Sequence, residues 1–122
     1  MATSATDQKT AITQTTNATP TNLLSYVQPN SSGAVIQVSL IAYDGSGNVK
    51  GWLLEAVTKR VADSLSVIGS VQNLMTAQGD VGLATASATI VISGANVIVE
   101  VTGIAATTIN WRVRVTIDLY TP

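Results

Sequence analysis

Ile109-Asn110-Trp111-Arg112-Val113-Arg114-Val115-Thr116-Ile117-Asp118-Leu119 alternates apolar and polar side chains without a fault. Successive side chains of an extended chain point to opposite faces, so this stretch reads as a strand with one core face and one polar face. The same reading extends upstream. Val97, Val99 and Val101 face away from Glu100 and Thr102, and the tight turn Ser93-Gly94-Ala95-Asn96 precedes them. Before that turn, residues 83–92 set Ala84, Ala86, Ala88, Ile90 and Ile92 against Thr85, Ser87 and Thr89. Together the two runs predict a hairpin with good turn chemistry.

Residues 34–43 and 49–61 form a second predicted hairpin, joined by the Gly- and Asx-rich loop Asp44-Gly45-Ser46-Gly47-Asn48. One face of this hairpin carries Ile36, Val38, Leu40, Trp52, Leu54 and Ala56. The opposite face is half apolar, because Val35, Ile41, Leu53 and Val57 interrupt its polar residues. Residues 65–75 continue as β-prone sequence with a bulge or bend expected at Gly69. A helix over residues 53–75 is the competing reading, weakened by Gly69 and by the lack of a clean helical stripe. Two shorter strands are expected at residues 10–16 and 23–28, bounded by Asn17-Ala18-Thr19-Pro20 and Pro29-Asn30-Ser31-Ser32-Gly33. Residues 1–8 have no apolar period and are expected to be mobile or ordered only by a partner. Seven or eight short strands with regular turns predict an all-β fold, an antiparallel β-sandwich of jelly-roll-like type. Its expected division is residues 1–28 as an extended N-terminal arm with the first short strands, and residues 29–122 as the sandwich.

Composition narrows the function. With 46% hydrophobic and 11% charged residues in 122, the chain has the make-up of one folded domain rather than a disordered one. Six Lys plus Arg and a net charge of −1 leave no basic patch for nucleic acid. Cys and His are both absent, which removes the usual ligands of zinc, haem and iron–sulfur centres. No cofactor is expected. No stretch is long and apolar enough for a membrane-spanning helix, and the start lacks signal-peptide character, so a soluble protein made in the cytoplasm is the simplest expectation.

Little chemistry is on offer. Glu55 and Glu100 are both on predicted strands, and a glycosidase-like acid–base pair would need them at one site. Both fall on predicted outward faces, where ion pairs with Lys59, Arg60, Arg112 or Arg114 are the ordinary expectation; an anion-binding face is the sharper one. Asp44, Ser46 and Asn48 place oxygen side chains as in the start of a calcium loop, but no acidic ligand follows to complete it. Trp52 and Trp111 lie on the apolar sides of their strands and are expected in the core rather than on a stacking platform.

Several segments look familiar. Thr15-Thr16-Asn17-Ala18-Thr19-Pro20-Thr21, the strand from Trp52 to its basic end at Arg60, and Val101-Thr102-Gly103-Ile104-Ala105-Ala106-Thr107-Thr108-Ile109-Asn110-Trp111 are similar to a β-rich domain of phage virion proteins. The resemblance runs from about Gln8 to the end. In that family the domain occurs alone or at the end of tail-fibre, tailspike and other virion proteins, and carries no known chemistry. Members often have another Trp in the strand beginning here near Leu83, which this chain lacks.

The resemblance implies a structural protein of the virion, not an enzyme. A capsid cement or decoration protein is the leading expectation, its arm lying on the major capsid protein or another virion protein and its sandwich self-associating, a trimer being favoured. The alternative is a tail-fibre or receptor-binding module for a host surface sugar or protein. Expected contact residues are Ile12, Thr16, Leu23 and Tyr26 from the first strands, and Val35, Ile41, Leu53 and Val57 from the half-apolar face.

Overall fold

The computed structural model describes residues 2–122 as eight antiparallel strands in two sheets. The strands are β1 Thr3–Thr15, β2 Thr21–Val27, β3 Ser32–Asp44, β4 Val49–Val61, β5 Ser64–Gly79, β6 Ser87–Ser93, β7 Asn96–Thr102 and β8 Ile109–Thr121. A five-stranded sheet runs in the order β1-β8-β3-β4-β5, and a three-stranded sheet in the order β2-β7-β6. Pairing β1 with β8 and β2 with β7 nests the chain ends as a jelly roll does, whereas β3, β4 and β5 form a meander that stays in the larger sheet. Among the described residues there is no α-helix, so the competing helical reading of residues 53–75 is resolved as strand.

Alternation fills the core. Ile109, Trp111, Val113, Val115 and Ile117 of β8 are buried, with Ile36, Val38 and Leu40 of β3 beside them and Trp52, Leu54 and Ala56 of β4 beyond. Val97, Val99 and Val101 of β7 close the core from the smaller sheet. The rings of Trp52 and Trp111 meet at 5.4 Å between centroids with a 31° tilt. The indole N–H of Trp111 donates to Thr15 Oγ1 at 2.9 Å, which satisfies a buried donor and pins the end of β1. Gly103 is buried against the same corner, where a Cβ would come within 2.4 Å of Thr15 Oγ1 and 2.7 Å of the Asn17 carbonyl oxygen. Its role is close approach of two chain segments.

Three expectations need correction. Residues 3–8, expected to be mobile or ordered only by a partner, are strand, paired within the chain with β8 from Thr3 opposite Thr121 through Gln8 opposite Thr116. Their lack of an apolar period misled because an edge strand is held by backbone hydrogen bonds, and Thr is a good strand former. Residues 1–28, expected as an arm with the first short strands, are therefore β1 and β2, each lying along a partner strand, with Met1 outside the described residues. The run expected from Leu83 becomes strand only at Ser87, because Val81–Leu83 is a 3-10 turn whose Leu83 is fully buried. Lys50 holds that turn, its Nζ donating to the carbonyls of Ala84 and Ala86 at 2.9 and 2.8 Å.

Turn chemistry sets the hairpins. Ala62 and Asp63 form the two-residue β4–β5 loop with φ of 50° and 63°, the left-handed values of a type I′ turn. Gly69 has φ of 72° at the expected bulge, where the register slips between Glu55 opposite Gln72 and Val57 opposite Ile68. The β3–β4 loop is organised by Asp44, whose carboxylate accepts from the Ser46 and Asn48 amides, both at 2.9 Å, and from Asn48 Nδ2 at 2.8 Å. These bonds stabilise the charged form and hold the carboxyl below its usual value of 3.8. A depressed folded-state pKa contributes stability above the unfolded value, and that stability is lost as pH falls through the folded one. The thermal stability of the wild type should therefore fall, as pH drops below about 4, more steeply than that of Asp44→Asn. Parallel melting curves for the two proteins over that window would contradict the assignment.

Candidate functional site: the outer face of the larger sheet

The face of the five-stranded sheet turned away from the core is uncovered among the described residues. Register places its side chains in rows across the strands. One row is Ile12, Arg112, Ile41 and Gly51; the next is Thr10, Arg114, Ser39 and Leu53. Gln8, Thr116, Gln37 and Glu55 follow, then Thr6, Asp118, Val35 and Val57, and Ile68 of β5 extends that last row. Ile12 is 80% exposed, Ile41 46%, Val57 44% and Ile68 47%, an unusual concentration of exposed apolar side chains for one face.

Two shallow troughs lie on this face. Val35, Val57, Ile68, Asp118 and Tyr120 line one of about 460 Å³. Ile12, Gln14, Ile41, Tyr43, Asn110 and Arg112 line another of about 640 Å³. Both have a sheet for a floor, a shape suited to a broad partner surface more than to an engulfed small molecule. Polar groups between the apolar ones are tied down: Gln37 Nε2 donates to Glu55 Oε2 at 2.8 Å and Gln14 Nε2 to Asn110 Oδ1 at 3.0 Å. Thr6 Oγ1 donates to Asp118 Oδ1 at 3.0 Å. Arg112 and Arg114 make no ion pair among the described residues.

The expected contact residues divide. Ile12, Val35, Ile41, Leu53 and Val57 come together on this face. Thr16 is exposed just past the end of β1. Leu23 is turned into the core by the bulge between Asn22 and Leu24, so a partner cannot reach it. Tyr26 is half-buried on β2 in the smaller sheet, and burial, then the charge of Asp7, raises its pKa. Sequence reasoning missed Tyr43, Ile68, Leu74 and Tyr120, all exposed. Period 2 was the signal available for Tyr43 and Tyr120, which continue the outward positions of β3 and β8.

The candidate chemistry does not assemble. Glu55 lies on the outer face of the larger sheet and Glu100 on β7 of the smaller one, opposite Asn22 and Thr89. Neither carboxylate makes the expected cross-strand ion pair among the described residues. The four cations do not form one cluster: Arg112 and Arg114 are neighbours on the outer face of β8 and Lys59 is exposed on β4, while Arg60 donates to the Gln28 carbonyl at 2.8 Å and pairs with Asp63 at 3.4 Å. The Gln28 side chain is itself fully buried, accepting from Thr58 Oγ1 at 2.6 Å and donating to Ser32 Oγ at 3.1 Å. That network ties β2 to β3 and β4, a structural role. Asp44 spends its carboxylate on its own loop. Trp52 and Trp111 are in the core, as expected.

Fold and face together define an antiparallel β-sandwich domain with an open, partly apolar surface. No family model matches the chain, and none of the curated proteins does. Among solved structures, 98% of the chain is similar to 18% of the tailspike protein gp49 of Acinetobacter baumannii bacteriophage Fri1, a capsular polysaccharide depolymerase, with a TM-score of 0.53 and 14% identity. A second match covers 99% of the chain and 26% of the Acinetobacter baumannii phage AM24 tailspike protein, with a TM-score of 0.45 and 10% identity. The chain spans well under a third of either tailspike, and the Fri1 likeness is one of fold.

Proposed function

We propose that the chain is a non-catalytic structural domain of a bacteriophage tail, of tail-fibre or tailspike type, attached through protein contacts made by the outer face of its larger sheet. The observation that carries this reading is the exposed set Ile12, Ile41, Val57 and Ile68 on one side of a sandwich whose core is otherwise closed. Apolar area of that extent is stabilised by leaving water, and another protein surface is the partner that removes it. The likeness to a domain-sized part of the Fri1 tailspike supports the tail over the shell, so the tail alternative takes precedence over the capsid cement first expected.

Two features favour a protein over a sugar as the thing bound. Both tryptophans are buried, leaving only Tyr43 and Tyr120 as aromatics on this face, and carbohydrate stacking uses exposed rings. The separation of Glu55 and Glu100 onto different sheets supports the non-catalytic assignment, since hydrolysis of a glycosidic bond needs two carboxyls across one bond. In a purified phage, gold-labelled antibody against this domain should mark the tail. Label spread over the shell would overturn the reading.

A further inference from the structure

We infer that the outer face of the larger sheet pairs with the same face of a second copy of this chain about a two-fold axis. This rests on the proposal that the face is a protein contact, and it names the partner. The axis would lie in the interface, perpendicular to the strands, along the row Gln8, Thr116, Gln37 and Glu55.

Charge is the first argument. Outward side chains of β8 run Arg112, Arg114, Thr116, Asp118 and Tyr120, so the strand is basic toward one end and acidic toward the other. Arg114 and Asp118 lie on either side of Thr116, too far apart along an extended strand to meet in one chain. Rotation about the axis sets Arg114 of each copy over Asp118 of the other, twice. That gives a partner to an arginine without an ion pair among the described residues.

Size is the second argument. The same rotation sets Leu53 over Val57, Ile41 over Gly33 and Arg112 over Tyr120, so bulky groups meet apolar, small or aromatic ones. Area is the third. Five strands about 4.8 Å apart and the five outward rows that the rotation superposes, about 6.8 Å apart, make a rectangle of roughly 800 Å², the area each partner gives to a standard-size interface. One element opposes pairing: Glu55 lies on the axis and faces its own copy, held by Gln37.

Sedimentation of the full chain from about 1 to about 200 µM tests the pairing. The wild type should form dimers within that range. Arg114→Asp and Asp118→Arg should each weaken self-association at least about tenfold, because each reversal sets like charges together twice. An equimolar mixture of the two variants should recover a heterodimer, since every 114–118 contact in it is again opposite in sign. Glu55→Gln should tighten the dimer. A wild type that stays monomeric throughout, a trimer indifferent to the reversals, or a mixture that fails to recover would each overturn the inference. None of these bears on whether antibody marks the tail, which requires only that the domain is part of the tail.

Discussion

Trp111→Ala is expected to remove about 4 kcal/mol of folding stability, a large share of the roughly 5–15 kcal/mol typical of a domain. Three losses combine at this position. The indole is 2% exposed, so its removal opens a cavity in the middle of β8. It also removes the ring packed at 5.4 Å on Trp52. Finally, the bond to Thr15 Oγ1 disappears, leaving that hydroxyl at the crowded corner beside Gly103. For a domain of this size the midpoint of thermal unfolding should drop by roughly 15 °C. Trp111→Phe separates the terms: most of the ring is kept and the donor is lost, so a cost of about 1–2 kcal/mol is expected. Denaturant titration of both variants gives the two numbers. An alanine variant within about 1 kcal/mol of wild type would mean the core is not organised around this residue.

A charge on the outer face should have the opposite profile, with little effect on the isolated domain and a large one on assembly. Val57→Arg replaces a side chain that is 44% exposed on β4, beside Val35 and opposite Ile68. The free domain can turn the guanidinium into water, so its melting temperature should stay within a few degrees of wild type. Against a partner surface the same group would be buried without a counter-ion, which costs several kcal/mol. Incorporation into particles should fall about 100-fold, which corresponds to about 2.8 kcal/mol. Quantitative immunoblotting of purified phage made with the variant alone measures it. Normal incorporation would place the contact elsewhere.

Much of the fold was legible because it is written in period 2. Residues 109–119 alternate faultlessly, and the structure buries Ile109 through Ile117 as that pattern requires. The β3–β4 hairpin was equally clear, including the outward positions of Val35, Ile41, Leu53 and Val57. Residues 3–8 were illegible for a physical reason. Their place depends on backbone pairing with β8, which leaves no hydrophobic imprint. Leu83 misled in the reverse sense, since one deeply buried leucine followed by alanines imitates a strand while belonging to a turn held by Lys50.

The site was half legible. Alternation shows which side chains of a strand share a face, but which strands are neighbours depends on long-range pairing. That β8 lies between β1 and β3, setting Arg112 between Ile12 and Ile41, could not be read from either strand alone. The same limit produced the expected ion pairs with the cations: Glu100 turned out to lie in the smaller sheet, and Glu55 of β4 shares the larger sheet with Arg112 and Arg114 of β8 but is separated from them by β3. Leu23 was a failure of local geometry. A bulge after Asn22 shifts the register of β2 and turns that leucine inward.

Electron cryomicroscopy of the intact phage, at a resolution that follows the strands of this domain, tests the claim that the outer face of the five-stranded sheet is its contact surface. The account predicts the domain in the tail, with protein packed over Ile41, Val57 and Ile68. A domain whose larger sheet faces open solvent, attached instead through the three-stranded sheet or the loops, would contradict it.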